Sequence, residues 1–204
     1  MAFGINIDSP QGATQLDPDE AHGLTPKHIV DHEQLNEGEL TNVLRGEGWV
    51  FSPSRQRKFA RPEQVFTSEF VRTLHKRMFG DTWKWAGVFR NTGKNIGIDP
   101  IRIQPALADL CADVQTQLEF ASYPLDEIAA RLSHRLVAIH PFANGNGRLS
   151  RTIADVLLVD NGAQRFSWGA ANLVNENETR QRYLDALRNA DKKNIAPLMA
   201  FVRS

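Results

Sequence analysis

The residues of this chain with the clearest capacity for chemistry gather in one stretch, His140-Pro141-Phe142-Ala143-Asn144-Gly145-Asn146-Gly147-Arg148, with Arg151 three positions further on. Gly145, Asn146 and Gly147 form a run of glycine and small polar residues, so backbone N–H groups there can approach an anion closely. A helix is expected to start in this loop, and its N-terminus would carry unpaired N–H donors and a partial positive charge, worth roughly 0.3–2 kcal/mol per bound charge. Phosphate is the natural guest. Arg148 and Arg151 project from nearly the same helix face and their guanidinium forks can clamp successive phosphates. The bland alternative is a solvated face with Arg151 paired to Asp155, four residues on. Against it, two positive charges in a first helical turn oppose the helix dipole, and bound anionic oxygen removes that penalty.

His140 stands at the end of the preceding helix, where a chain reversal would bring its imidazole beside the anion. With a reference pKa of about 6.5, it can take a proton from an attacking hydroxyl near neutral pH. Helix-terminal histidines are more often caps or core hydrogen-bond partners, but adjacency to the phosphate loop favours the base. His22, His28, His32, His75 and His134 lack such company and read as structural or surface residues; His28 and His32, four apart, have no third metal ligand. A P-loop is excluded because Gly-x-x-x-x-Gly-Lys-Ser/Thr is missing, and a Rossmann turn because a helix precedes the glycines.

The elements that must position this loop are helical. Leu125, Ile128, Ala129, Leu132, Leu136 and Ile139 line one face of a helix beginning at Pro124. Leu149, Ile153, Val156 and Leu157 line the next, which stops at Asn161-Gly162. Upstream, a helix is expected from Thr25-Pro26 to about Gly46, with Ile29, Leu35, Leu40, Val43 and Leu44 inward and an interruption at Gly38. A second should run from Pro62 to Phe79, and a third after Pro105 carries Leu107, Leu110, Val114 and Leu118. A last one carries Tyr183, Leu184 and Leu187. Trp83, Trp85 and Phe89 read as packing anchors. The run Arg55, Arg57, Lys58 and Arg61 reads as a solvated connector. Asn95 to Ile103, two short runs of β-formers around Asp99-Pro100, is the hairpin candidate.

An irregular arm from Met1 to Leu24 and the first helix make up residues 1–60, and residues 61–204 form the core of what is expected to be one globular unit. The 204 residues can bury a sizeable core, and 41% apolar with 24% charged residues is ordinary for a globular protein. Lys plus Arg equals Asp plus Glu at 24 each, which offers no overall field for nucleic acid. One cysteine, Cys111, cannot form an internal disulfide and reads as a buried helical position. Neither a signal peptide nor a membrane span is evident, so a cytoplasmic protein is expected.

The segment from His140 to Arg148, with Arg151, resembles the Fic motif, His-x-Phe-x-(Asp or Glu)-Gly-Asn-Gly-Arg-x-x-Arg. Phe79-Gly80 and Trp85-Ala86-Gly87-Val88-Phe89-Arg90 look like that family's upstream signature, and the hairpin candidate falls at the place of its target-positioning flap. The resemblance covers about Val65 to Val202, and the Tyr183-Leu184-Asp185-Ala186-Leu187 stretch is similar to the subgroup called mobile mystery protein B. It implies a mostly α, Fic-type helical bundle with one small β-hairpin flap. It implies transfer of AMP from ATP to a Ser, Thr or Tyr hydroxyl of a target protein. The implied roles are His140 as general base, Gly145, Asn146 and Gly147 as the anion cradle, and Arg148 and Arg151 on the distal phosphates. Phe142 is the loop's anchor, and Ile96, Gly97, Ile98 and Ile101 form the flap.

One departure concerns Asn144, which stands where the family has a carboxylate for Mg2+. A neutral oxygen remains a ligand for magnesium but removes a protein charge. Phosphotransfer from a reversed nucleotide, as in the related Doc toxins, removal of AMP, and a non-catalytic nucleotide-binding or regulatory module therefore stand as alternatives. Many relatives also carry an inhibitory Ser/Thr-x-x-x-Glu-Gly/Asn helix. Here Glu33-Gln34-Leu35-Asn36-Glu37-Gly38 keeps only its Glu-Gly end, so either Glu37 remains from a degenerated motif or a separate antitoxin-like protein supplies control, and surface charge pairing accounts for these acids equally well.

Overall fold

The computed structural model describes residues 23–26, 32–59, 62–170 and 176–204. Among them the regular structure is helical: α1 (His32–Val50), α2 (Pro53–Lys58), α3 (Pro62–Val65), α4 (Ser68–Phe79), α5 (Ile103–Glu119), α6 (Leu125–Ile139), α7 (Asn146–Asp160), α8 (Glu176–Asp191) and α9 (Ala196–Val202). A 3-10 turn, Pro100–Arg102, precedes α5, and Leu24 makes an isolated bridge with Trp83.

Helices α6 and α7, joined by the loop from His140 to Gly145, pack on one another. Proline at its N-cap and Asp126 and Glu127 in the first turn suit the start of α6, because acidic groups there complement the helix dipole. Its apolar residues recur at helical spacing and bury Ile128, Leu132, Leu136 and Ile139. α7 is buried on most sides, including Ser150, Thr152 and Asp155, and ends with Gly162 in the left-handed conformation at φ 76°. α5 packs on α6, α4 touches both α5 and α7, and α1 packs on α4. Gly46 makes that last contact close, since a Cβ there would lie 2.6 Å from Met78 Cγ. Trp83, nearly fully buried, stacks on Trp85, and Phe89 lies against Phe142, so the three aromatics pack as expected. Cys111 is buried, which pushes its thiol up to about 11.

Several elements differ from the sequence expectation. α1 runs unbroken through Gly38 and Gly46 to Val50, with Leu35 and Val43 inward but Leu40 and Leu44 exposed. The inward stripe instead carries Glu39 and Asn42, polar residues satisfied by hydrogen bonds to Trp83 and Thr82. Thr25 and Pro26, the expected start, are not helical, while Ile29, most of the arm and Arg61 fall outside the described residues. The helix expected from Pro62 to Phe79 is two, because Thr67 turns its hydroxyl to accept the Phe70 N–H and caps a new start. Arg55 is not solvated: its guanidinium is buried, donating to the Val50 carbonyl and to both oxygens of Asp160 at the end of α7.

The β-hairpin flap does not form. Ile96, Gly97 and Ile98 lie in a non-strand loop and Ile101 in the 3-10 turn. Asp99 is the cause on one side: its carboxylate accepts the Ile101 N–H and starts the 3-10 turn that leads directly into α5. On the other side, the carbonyls of Thr92 and Ile98 are taken by the Arg90 guanidinium and are not presented to a partner strand.

Candidate functional site

The loop between α6 and α7 is held by its own side chains and by those of α4. α6 ends as His140 turns left-handed at φ 54° and ψ 61°, with its N–H donating to the Leu136 carbonyl at 3.1 Å. Phe142 is fully buried, stacked on the His75 ring at 3.8 Å between centroids. Asn146 closes the loop: its side-chain oxygen accepts the Phe142 N–H at 2.9 Å and its amide donates to the Phe142 carbonyl at 2.8 Å. Gly145, at φ 80°, lies against Phe79, where a Cβ would come within 2.5 Å of the ring. The first N–H of α7 paired within the helix is that of Leu149, which reaches the Gly145 carbonyl at 3.0 Å. The helix therefore offers no acceptor to the N–H groups of Asn146, Gly147 and Arg148.

His140 is 3% exposed. Burial pushes its imidazole down to about 4; a hydrogen bond with the Val137 backbone opposes the shift, while the charges of Arg90 and Lys94 add to it. The ring is therefore neutral at pH 7, and burial makes it a weaker base than the ordinary histidine the sequence suggested.

The two arginines are drawn to different neighbours. Arg148 lies over the Phe79 ring and donates to Glu39 Oε2 of α1 at 2.6 Å. Arg151 lies over the Tyr183 ring of α8, 5.5 Å from its centroid. Its expected surface partner Asp155 is engaged elsewhere, accepting from Arg165, from the Phe166 N–H and from the Trp168 indole. Glu37 is exposed on α1, two residues from the glutamate that does reach the loop.

Asn144 is partly exposed, and its Oδ1 accepts the N–H of the adjacent Gly145. Among the described residues no group of three or more His, Cys, Asp or Glu is placed to hold a metal ion. Asn144 thus contributes one neutral oxygen, a donor set that suits a magnesium ion arriving with phosphate oxygens and not one held by protein alone.

Three residues at this site escaped the sequence reading in their present roles. Glu39 accepts from both Arg148 and the Trp83 indole; its place four residues from Leu35 and Val43 was a readable signal that it faces inward. His75 is fully buried, and because the Gly87 N–H donates to its Nδ1 at 2.9 Å, the proton sits on Nε2 and is donated to the Asn144 carbonyl at 3.0 Å. Burial holds it at about 3, so it stays neutral. Its spacing from Val71 and Met78 was a readable signal of an inward position, which the grouping with structural or surface histidines did not use, and no spacing pointed to the loop. Arg90 donates from Nε to the His140 carbonyl at 2.6 Å, a contact between residues fifty positions apart that no local pattern encodes.

Comparison with known proteins places this arrangement. The Fic/DOC family pattern matches residues 65–158. A Fido domain-containing protein of Dictyostelium discoideum is 30% identical over 110 residues, 52% of this chain and 72% of that protein. The probable protein adenylyltransferase y4lH of Sinorhizobium fredii is 27% identical over 184 residues, 86% of each chain. Protein adenylyltransferase Fic of Culex quinquefasciatus is 28% identical over 134 residues, but that is 63% of this chain and only 25% of the relative. Among solved structures, BepC from Bartonella tribocorum, crystallised with bound AMPPNP, has a TM-score of 0.66 at 18% identity and covers 92% of this chain and 97% of that one. No helix among the described residues is long and apolar enough to cross a membrane. On the matched pattern, the Dictyostelium relative and the shared helical fold together, the chain belongs to the Fic/DOC family.

Proposed function

We propose that this chain is a protein adenylyltransferase in which His140 is the general base, transferring AMP from ATP to a Ser, Thr or Tyr hydroxyl of a target protein. The observation that carries the reading is the neutral, buried His140, fixed in a left-handed turn beside a loop whose following helix begins with N–H donors. The matched adenylyltransferases and the AMPPNP bound to BepC support it.

In this reading the target oxygen attacks the α-phosphorus as its proton passes to the His140 imidazole, and the bond to the β-phosphate oxygen breaks to release pyrophosphate. The N–H groups of Asn146 and Gly147 face the phosphates, and Arg151 and Arg148 hold the distal ones, Arg148 after leaving Glu39. A magnesium ion bound with the nucleotide would take Asn144 as its protein ligand and neutralise phosphate charge. The loop of residues 92–98, beside His140, receives the target. Cytoplasmic location, a separate inhibitory protein and the placement in the mobile mystery protein B subgroup belong to the same proposal.

Asn144 and the Glu39–Arg148 pair favour one second reading, a regulatory module that binds nucleotide without turning it over. Incubation of the chain with a lysate and either α- or γ-labelled ATP separates the cases. AMP transfer labels protein only from the α position, and His140→Ala lowers it by about 10²–10⁴-fold. Label entering from the γ position identifies phosphotransfer, and no label with intact ATP binding identifies the module.

A further inference from the structure

Arg90 follows the aromatic segment and is 5% exposed. Its backbone N–H donates to the Pro141 carbonyl at 3.0 Å and its Nε to the His140 carbonyl at 2.6 Å. The two ends of the guanidinium donate to Thr92 at 2.8 Å and Ile98 at 2.5 Å. One planar cation therefore ties the turn after α6 to both ends of the 92–98 loop, and a backbone bond from the Ile98 N–H to the Ile139 carbonyl at 3.4 Å runs alongside. Gly97 completes the junction. At φ 102°, a Cβ on it would lie 2.6 Å from His140 Cβ and 2.7 Å from Arg90 Nη2.

We propose that Arg90 is a positioning residue that locks the 92–98 loop to the backbone of His140, so that docking on the loop and orientation of the imidazole are one event. The proposal rests on His140 as the base. All three side-chain contacts are to carbonyl oxygens in a fixed fork, a geometry that lysine, with a single ammonium group, cannot reproduce. The contacts also replace the strand pairing that the β-formers of this segment would otherwise seek, which explains why the segment is a loop held on the active turn.

The test uses the full chain as Arg90→Lys and Gly97→Ala. The first keeps the charge and removes the fork; the second keeps the Arg90 side chain but crowds both its Nη2 and His140 Cβ, forcing the junction apart. Amide exchange across 92–98, titration of the His140 ring by NMR and thermal melting are measured for each. Both variants are expected to stay folded, with exchange in 92–98 faster by about tenfold or more and His140 titrating closer to an ordinary histidine as water enters. With α-labelled ATP, kcat falls by about 10²-fold while KM for ATP holds, the pattern of a misplaced reacting group.

Exchange that rises equally throughout the chain, or a His140 titration that does not move, overturns the proposal. Should Arg90→Lys not fold, Gly97→Ala decides the question by the same criteria. If the loop loosens and the titration moves but wild-type chain transfers no label, the positioning stands and the transferase reading falls.

Discussion

Glu39→Gln should strengthen the binding of ATP. Glu39 is buried, with its side chain 7% exposed, and its Oε2 accepts from Arg148, whose side chain is 32% exposed. If Arg148 holds a phosphate, that phosphate competes with the carboxylate, and wild-type affinity is reduced by whatever the ion pair is worth. The pair lies between two regimes: exposed ion pairs are worth about 0.2–1 kcal/mol, and breaking a buried one costs about 3–5 kcal/mol. With one partner a third exposed, about 1–2 kcal/mol is the reasonable figure, a factor of roughly 5–30 in affinity. Glutamine keeps the shape and an acceptor for the Trp83 indole, which bonds Glu39 Oε1 at 2.6 Å, so the effect isolates charge. Calorimetric titration with ATP, and with adenosine as the ligand without phosphates, measures it. A gain confined to ATP is expected. Unchanged ATP affinity, or an equal gain for adenosine, would refute the competition and with it the assignment of Arg148 to phosphate.

Stability should fall as pH is lowered from about 6.5. His140 and His75 are held at about 4 and about 3, below the unfolded value near 6.5, so the unfolded chain binds protons that the folded one refuses; the loss reaches roughly 2 kcal/mol per histidine by pH 5. The window is kept above pH 5 because burial raises Asp155, which acts in the opposite sense nearer its own titration. Denaturant unfolding at pH 7, 6 and 5 checks this, and a flat profile contradicts it. Gly145→Ala places a methyl 2.5 Å from the Phe79 ring at φ 80° and should lower stability by about 2 kcal/mol, roughly 4–8 °C in Tm; Gly147→Ala, whose nearest neighbour is Arg151 Nη1 at 3.9 Å, should melt close to wild type. Equal melting of the two alanine variants would show that the Gly145 turn relaxes freely.

How much of this was legible depended on whether the information was local. Helical periodicity located α6 and α7 because each buries a stripe whose spacing repeats every turn, and glycine with asparagine marked the loop because the left-handed turn at Gly145 against Phe79 leaves no room for a side chain. The chemistry-bearing residues were contiguous in sequence, from His140 to Arg148, so their types and order could be read directly. The face of α1 was misassigned: Leu40 and Leu44 look like core residues, yet Glu39 and Asn42 face inward because Trp83, Arg148 and Thr82 supply hydrogen-bond partners.

By itself the sequence determined a helical chain with a histidine at one helix end beside a glycine-rich loop that opens the next helix, since residue type, periodicity and turn chemistry act over a few positions. Tertiary structure decided what surrounds that loop. Burial set the His140 imidazole well below its ordinary value, Glu39 took Arg148, and Arg90 claimed the Thr92 and Ile98 carbonyls, so that β-prone residues became a loop. Desolvation and long-range hydrogen bonds depend on which distant residues come within a few ångströms, and local sequence carries no term for that.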